Sequence, residues 1–196
     1  MSQWRFLDSP SAPISIQMAE DDRLFEEFLS NTDTLPLLKI CRVNEPGVTV
    51  GYSYKTKKEP GSFWGCFLQK GARLLRKEQI CIRPTGGGLV EHGNDLIYSV
   101  IARRESYPAF HQVRTSYLSF HEAVQEALLS LGFATQLMRC DDPRVRKGMA
   151  GRVPSQRRTN SCFTDPVATD VLYRDQKIAG GAQRRKGSNF LHQGSI

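Results

Sequence analysis

The sequence predicts an α+β domain in which helices accompany a β-sheet. Three observations support this fold class: one long segment has clear helical periodicity, several short apolar or alternating segments surround it, and the last part of the chain reads as strands joined by a tight turn. Strands mixed with helices, with hairpins late in the chain, are typical of α+β architecture. A chain of 196 residues is long enough to bury a core within one domain.

The clearest predicted helix covers residues 112–131. Its apolar side chains recur at spacings of three and four, and Gly132 follows as a natural stop. These side chains are Val113, Tyr117, Phe120, Val124, Leu128 and Leu131. A second helix is predicted at 15–29 and a third, weakened by two glycines, at 62–75. The apolar stripe expected on the helix at 15–29 consists of Ile16, Ala19, Leu24 and Phe28.

Eight short segments are predicted to be strands, because they are apolar or alternate in polarity and are bounded by turn residues. They are residues 4–7, 37–43, 47–51, 79–83, 95–102, 167–173, 176–182 and 189–195. Residues 139–159 are polar, basic and interrupted by glycine and proline, which predicts a mobile loop with a functional role.

Composition argues against several classes of protein. No apolar run approaches the length of a membrane span and the N-terminus lacks the features of a secretory signal, so a cytoplasmic protein is expected. The five cysteines are scattered without a Cys-x-x-Cys pair, which argues against a disulfide framework and against a metal site. The formal charge of +7 would attract polyanions, but no nucleic-acid-binding motif accompanies it, and nucleic acid is not an expected partner.

Three consecutive glycines are the most distinctive local feature. They lie in Arg-Pro-Thr-Gly-Gly-Gly-Leu-Val-Glu-His, residues 83–92, directly after a predicted strand. Without Cβ atoms the backbone can turn sharply and present N–H groups to a phosphate or a carbonyl oxygen. The spacing matches neither a Walker loop nor a dinucleotide fingerprint. By itself the triplet is equally consistent with a plain tight turn.

Two later segments extend this pattern: Lys-Ile-Ala-Gly-Gly-Ala-Gln-Arg-Arg at 177–185 and Leu-His-Gln-Gly-Ser-Ile at 191–196. Together with the glycine segment, and in this order, they resemble the lipoate–protein ligase and octanoyltransferase family, relatives of the biotin protein ligases. The resemblance runs from about residue 46 to the last residue. It implies a biotin/lipoate protein ligase-like catalytic domain, with a mixed or antiparallel β-sheet, flanking helices and an acyl-binding tunnel between the glycine loop and the lysine strand.

The resemblance also assigns roles to residues. Lys177 would lie beside the reacting carbonyl, where an ammonium can stabilise an oxyanion or hold the phosphate of an acyl-adenylate. From its position alone, Lys177 would instead be a solvated lysine at a hairpin tip. The residues implied to bind the acyl substrate are Arg83, Thr85, Gly86, Gly87, Gly88, His92, Gly180, Gly181, Ala182 and His192.

The histidines divide into two groups. His192 is expected to face the tunnel, and either His92 or His192 could act as a base toward the incoming lysine, or be a hydrogen-bonded structural residue. His111 and His121, at or on the long predicted helix, are expected to be structural. The pair Asn94-Asp95 is expected only to support the glycine loop.

Cys162 is the candidate nucleophile. One group of transferases in the family carries its nucleophile in a Cys-Phe pair about fifteen residues before the motif lysine, and here Cys162 and Phe163 stand fifteen residues before Lys177, with Pro166 also fitting that group. A thioester intermediate on Cys162 needs no ATP, and a nearby cation such as Lys177 would favour the thiolate. The alternative is a buried apolar thiol.

The resemblance therefore implies protein lipoylation. The expected reaction is transfer of an octanoyl or lipoyl group from acyl carrier protein to the lysine of a lipoyl domain, through a thioester on Cys162 and without a cofactor. One alternative is a lipoate–protein ligase that uses ATP and Mg. Another is a binding protein that keeps the acyl pocket but does not catalyse the reaction.

The basic charge suits acidic partners, since lipoyl domains and acyl carrier proteins are generally acidic. Arg184, Arg185, Lys186 and the loop at 144–158 are candidate docking residues, although a run of charge is often only a solvated face. The sequence ends at Ile196, so residues 1–196 are expected to form a single catalytic domain without the C-terminal accessory region usual in relatives. The last strand is then expected at the edge of the sheet, covered by a partner or by self-association.

Overall fold

The computed structural model describes residues 3–52, 80–139, 141–142 and 168–196. These residues form the helices α1 (Ile14–Ser30) and α2 (Val113–Ser130). In chain order the strands are β1 (Arg5–Asp8), β2 (Leu37–Arg42), β3 (Gly47–Gly51), β4 (Ile80–Arg83), β5 (Leu89–His92), β6 (Leu96–Arg103), β7 (Thr135–Leu137), β8 (Val171–Tyr173), β9 (Gln176–Lys186) and β10 (Asn189–Ser195). Neither described helix combines the length and the apolar character needed to cross a membrane.

The described strands form two sheets. The large sheet has the order β1-β2-β6-β10-β9-β8-β7, and the small sheet has the order β4-β3-β5. The pairs β1/β2 and β3/β4 are parallel, and the other pairs are antiparallel. The predicted α+β class, with a mixed sheet and flanking helices, is confirmed.

Each helix covers one face of the large sheet. On β10, Phe190 packs into the cluster that contains Phe120 and Val124 of α2, whereas the next residue, Leu191, packs with Leu24 of α1. This alternation follows from strand geometry, because successive side chains point to opposite faces. The two sides are called the α1 face and the α2 face below.

Both described helices lie where the sequence predicts them, but they bury different side chains. In α1, Ile16 is 59% exposed while Gln17 and Asp21 are buried. In α2, Val113 is exposed and His121 is buried. The buried polar residues have polar partners elsewhere in the chain, which the periodicity of apolar residues cannot reveal.

Two short strands, β5 and β7, are absent from the sequence prediction. They have only four and three residues, too few for a clear alternation of polarity. The helix predicted at 62–75 and most of the loop predicted at 139–159 lie outside the described residues.

The expectation that the last strand lies at the edge of the sheet is wrong. β10 is hydrogen-bonded to β6 on one side and to β9 on the other, over its whole length. The edges of the large sheet are β1 and β7. Pairing with β6 is non-local and leaves no trace in the sequence around β10, so the end of a sequence is a poor guide to the edge of a sheet. No partner is needed to cover this strand.

Candidate functional site

The glycine turn, residues 84–88, lies between β4 and β5. The side chain of Arg83, the last residue of β4, stabilises it through hydrogen bonds. The Arg83 guanidinium donates to the Gly86 carbonyl oxygen from Nε at 2.9 Å and from Nη2 at 2.6 Å, and to the Thr49 hydroxyl at 3.2 Å. Gly87 has a φ of +92°, a left-handed conformation that favours glycine. A Cβ on Gly51 of β3 would collide with the backbone of Gly86 and Gly87. Arg83 is 5% exposed and supports the shape of the turn.

Thr85 connects the turn to a buried ion pair. Its hydroxyl donates to Gln193 Oε1 at 2.6 Å, and Gln193 Nε2 donates to Asp21 Oδ2 at 2.6 Å. Asp21 in turn pairs with Lys39 Nζ at 2.8 Å. All four residues are at most 5% exposed. The glycine turn is thereby fixed to β10, α1 and β2, on the α1 face.

His92 is hydrogen-bonded at both ring nitrogens. Nδ1 donates to Asp95 Oδ2 at 2.6 Å, and Nε2 accepts from the Thr49 hydroxyl at 2.9 Å. Asp95 also accepts from Ser195 Oγ and from the backbone N–H of Gly93. Burial alone would raise the pKa of Asp95, but these hydrogen bonds and the interaction with His92 lower it to about 2. Asp95 thus ties the end of β5 to β10, in keeping with its expected supporting role.

Lys177 is buried and paired, so its interpretation as a solvated hairpin lysine is wrong. Nζ lies 2.8 Å from Asp170 Oδ2, and the two side chains are 7% and 1% exposed. A register shift between β8 and β9, where Val171 is opposite Ala179 but Leu172 is opposite Lys177, alters the direction of the lysine. The residues at the tip of this hairpin are Arg174 and Asp175.

Gly180 gives Lys177 the space to lie across β9. A Cβ on Gly180 would be 2.6 Å from Lys177 Cε and 2.8 Å from Nζ. Gly180 is opposite Ser195 and Ala182 is opposite Gln193, whose side chain contacts α1. Lys177, Gly180 and Ala182 therefore share the α1 face with the glycine turn.

His192 lies on the other face, which corrects the expectation that it faces the same slot as Lys177. Its ring centre is 4.5 Å from that of Phe120, and the ring is stacked at 5.6 Å with Tyr98. Nδ1 accepts from the Gln183 amide at 3.1 Å, which leaves Nε2 to donate to the Tyr98 hydroxyl. Burial and the neighbouring His121 lower the pKa of His192 well below its usual value. It is a neutral ring in the core.

Gly181 belongs to the same α2 face. A Cβ there would lie 2.7 Å from the His192 ring. The predicted site residues are thus divided by the sheet: Lys177, Gly180, Ala182 and the glycine turn lie on the α1 face, whereas Gly181 and His192 lie on the α2 face. Successive residues of a strand point to opposite faces, so a motif that is treated as one continuous set of site residues assigns alternate members to the wrong face.

Cys162 and Phe163 lie outside the described residues, so the nucleophile remains a prediction. Two other cysteines are described. Burial raises the pKa of Cys41 to about 12 and that of Cys81 to about 11. Neither thiol has the lowered pKa that a thiolate nucleophile requires.

Three residues of the site received no role from the sequence. Asp170 pairs with Lys177, and the only sequence signal was an acidic residue at the start of the preceding strand. Gln193 lies inside the final motif, and its alternation with His192 would have placed it on the opposite face. Gly51 accommodates the glycine turn.

The basic run at 184–186 is engaged within the chain. Arg184 pairs with Asp22 at 3.1 Å, and Lys186 pairs with Glu26 at 3.3 Å. Arg185 donates to the backbone carbonyl of Phe110 at 3.1 Å. The charge of Arg184 and Lys186 is balanced by acidic residues of α1, so docking through this run would require those pairs to be given up.

Curated proteins similar to this chain are octanoyltransferases named LipM. The chain is 30% identical over 193 residues to that of Moorella thermoacetica, 31% over 195 residues to that of Geobacillus kaustophilus and 30% over 194 residues to that of Staphylococcus aureus. Each alignment covers 98% of this chain. The chain spans 64% to 65% of the length of these relatives.

Solved structures of similar fold are lipoate–protein ligases. A lipoate–protein ligase A bound with ATP has a TM-score of 0.62 and 19% identity, and the match covers 100% of this chain and 66% of that one. A bi-partite lipoate protein ligase studied with its E2 lipoyl domain, from Thermoplasma acidophilum, has a TM-score of 0.64 and 18% identity, and the match covers 100% of this chain and 62% of that one. At these identities the likeness concerns the fold. The family model of the lipoyl protein ligase A/B catalytic domain matches residues 13–196, and the chain belongs to that family.

Proposed function

We propose that this chain transfers an octanoyl group from acyl carrier protein to a lysine of a lipoyl domain, through a thioester on Cys162. The observation that carries the proposal is the buried pair of Lys177 and Asp170, on the same face as the glycine turn. The LipM relatives, at about 30% identity over nearly the whole chain, favour octanoyl transfer over the other reactions of the family.

The separation of the two halves of the site suits an acyl chain. A Cβ on Gly86 would be 4.0 Å from the Gln183 carbonyl oxygen, so the glycine turn adjoins β9 at that residue. Lys177 Nζ lies at Gly180, about 10 Å away along an extended strand. The acyl chain would lie along β9, with its carbonyl at Lys177.

The proposed reaction has two steps that balance. In the first, the Cys162 thiolate attacks the donor carbonyl carbon, the C–S bond to the carrier breaks, and the carrier thiolate leaves with the electron pair and takes up a proton. In the second, the neutral amine of the acceptor lysine attacks, a C–N bond forms, the C–S bond to Cys162 breaks with its electron pair on the sulfur, and the proton lost by the amine passes to solvent, which regenerates the Cys162 thiolate. The Lys177 ammonium stabilises the oxyanion in both steps. The reaction consumes no ATP.

The proposed partners are an acidic acyl carrier protein and an acidic lipoyl domain. The net charge of +7 would speed the encounter with both. Since Arg184 and Lys186 already pair with α1, the basic segment 144–158, predicted from the sequence to be a loop, is the better candidate for docking.

One assay separates the candidate reactions. The protein is incubated with an apo lipoyl domain and either octanoyl-acyl carrier protein, or lipoate with ATP and magnesium, and the lipoyl domain is weighed by mass spectrometry. Modification with the first donor alone supports the transferase. Modification with the second donor alone supports the alternative activity, that of an ATP-dependent lipoate–protein ligase. Modification with neither supports a non-catalytic binding protein.

The nucleophile is tested with a matched pair of cysteine variants. The wild-type protein should gain the mass of one octanoyl group when mixed with octanoyl-acyl carrier protein alone. Cys162→Ser should lose this adduct and the transfer activity, whereas Cys81→Ser should keep both, because the raised pKa of Cys81 makes it a poor nucleophile. Transfer at the wild-type rate by Cys162→Ser would eliminate the thioester mechanism.

A further inference from the structure

Thr169 has a backbone conformation that its side chain disfavours. Its φ is +80°, in the left-handed region, where a β-branched residue is an outlier. Strain of this kind persists only where the surroundings impose it, and it is concentrated at functional sites. The next residue is Asp170, the partner of Lys177, so the strained residue sets the position from which the carboxylate reaches the lysine.

Two kinds of contact hold Thr169. Its N–H donates to the Met138 carbonyl at 2.9 Å, while the Met138 N–H donates to the Asp170 carbonyl at 2.8 Å. Its own carbonyl accepts from Nδ1 of His121 at 2.7 Å. The first two bonds are backbone contacts available to any sequence. The third depends on a particular side chain of α2.

The tautomer of His121 follows from this partner. A carbonyl oxygen can only accept, so Nδ1 carries the hydrogen and Nε2 carries a lone pair. Nε2 is buried and has no hydrogen-bond partner in the part of the chain that the structure describes. Burial lowers the pKa of His121, which keeps the ring neutral. The His121 side chain is 1% exposed. Among the described residues, its polar contact is therefore the hydrogen bond to the Thr169 carbonyl.

The connection from His121 through Thr169 and Asp170 to Lys177 runs from one face of the sheet to the other. His121 stands on α2, with its ring 5.9 Å from that of His192 on the α2 face. Thr169 passes the constraint along the backbone to Asp170, and Lys177 lies over Gly180 on the α1 face. His121 and Lys177 therefore lie on opposite faces of the sheet and are connected through Thr169 and Asp170.

We propose that His121 is a positioning residue for Lys177. By holding the Thr169 carbonyl it keeps Thr169 in the left-handed conformation, and this conformation sets Asp170 against the lysine ammonium. The left-handed conformation costs a β-branched residue free energy comparable to the net gain from one or two neutral hydrogen bonds, so loss of the His121 bond lets the turn relax. For its catalytic readout this inference rests on the proposed acyl transfer.

The first test compares substitutions that keep or remove the donor. The shorter side-chain amide introduced by His121→Asn would occupy the Nδ1 position and still donate to Thr169, whereas His121→Leu has no donor and the amide of His121→Gln lies too far out. We expect kcat to fall about tenfold in His121→Leu and His121→Gln with little change in KM, the size expected when an oriented group is misplaced. We expect His121→Asn to stay within about threefold of wild type. Wild-type kcat in His121→Gln, or equal loss in all three variants, would overturn the proposal.

The second test asks whether His121 acts through Thr169. Glycine adopts a φ of +80° without steric cost, so Thr169→Gly should restore most of the lost kcat in the His121→Leu or His121→Gln background. No restoration in a folded double variant would show that His121 acts by another route and would overturn the proposal.

A readout without turnover separates this inference from the proposed function. A lysine ammonium that is buried and ion-paired exchanges its hydrogens slowly, so the Lys177 Nζ group should give a resolved nitrogen–hydrogen NMR signal in the wild type. The signal should be lost in His121→Gln and recovered after Thr169→Gly is added. If the wild type transfers no acyl group from either donor, the proposed function fails, and this pattern still decides the role of His121. A signal that persists in His121→Gln contradicts that role.

Discussion

Two buried lysine–aspartate pairs of the same length occupy different settings in this molecule. Lys39 and Asp21 join β2 to α1, and Lys177 and Asp170 join β9 to the start of β8; both pairs are 2.8 Å long. Lys39 also lies 2.7 Å from Glu20, and two carboxylates on regular elements enclose it. Burial alone would lower the pKa of Lys39, but these carboxylates raise it.

The second pair depends on local backbone features rather than on two regular elements. Its lysine needs a glycine at position 180, and its aspartate follows Thr169 in a strained conformation. The Lys39–Asp21 pair connects a regular helix to a strand. The Lys177–Asp170 pair instead depends on a glycine and on a strained residue, and these fix the position of the lysine ammonium. We expect the first pair to serve the stability of the fold, and the second pair also to orient the Lys177 ammonium.

The largest effect is expected from Lys39→Met. Removal of the lysine leaves Asp21 and Glu20 buried or partly buried without their cation, and breaking such a pair from one side costs about 3–5 kcal/mol of unfolding free energy. Urea denaturation measures the loss. Lys39→Met/Asp21→Asn should recover part of it, since the buried charge is also removed. A loss below about 1 kcal/mol in the single variant would mean that this pair is not structural.

Lys177→Met should slow the reaction, and because it removes the cation 2.8 Å from the buried Asp170 it should also lower the unfolding free energy by about 3–5 kcal/mol, which urea denaturation measures. Loss of the ammonium removes the group proposed to stabilise the oxyanion, and transfer should slow by about 10²–10³-fold. The control is Lys186→Met, on the same strand but 56% exposed, which should stay within about twofold. Single-turnover transfer from octanoyl-acyl carrier protein to the lipoyl domain measures both. Equal rates for the two variants would remove Lys177 from the mechanism.

Gly180→Ala should have the smallest effect. Its methyl group would meet Lys177 Cε and Nζ and lie 3.1 Å from Asp170 Oδ1, so the ion pair must shift and the melting temperature should fall slightly. The displaced ammonium should lower kcat about tenfold. Gly93→Ala is the matched control, because a Cβ there meets nothing within 4 Å, and it should leave both quantities unchanged. If Gly180→Ala has the wild-type kcat, the position of the ammonium along β9 does not matter.

Features encoded within a short segment were predictable. The periodicity of 112–131 placed α2, alternation placed β10 at its observed bounds, and the order of the motifs identified the family, with Lys177 and the glycine turn as predicted site residues. The resemblance also suggested that Asp95 supports the glycine loop, and Asp95 is hydrogen-bonded to His92 at the end of that loop. Each of these depends on neighbours in sequence, which a single chain displays directly.

Features that join distant segments were decided by the tertiary structure alone. Thr85 and Gln193 are 108 positions apart, yet they share a hydrogen bond, and β10 lies inside the sheet because it pairs with β6. The face on which His192 lies depends on such pairings as well. Local pattern sets what each segment becomes, but strand order and the faces of the sheet arise from burial of all segments together, so only the folded chain determines which side chains meet.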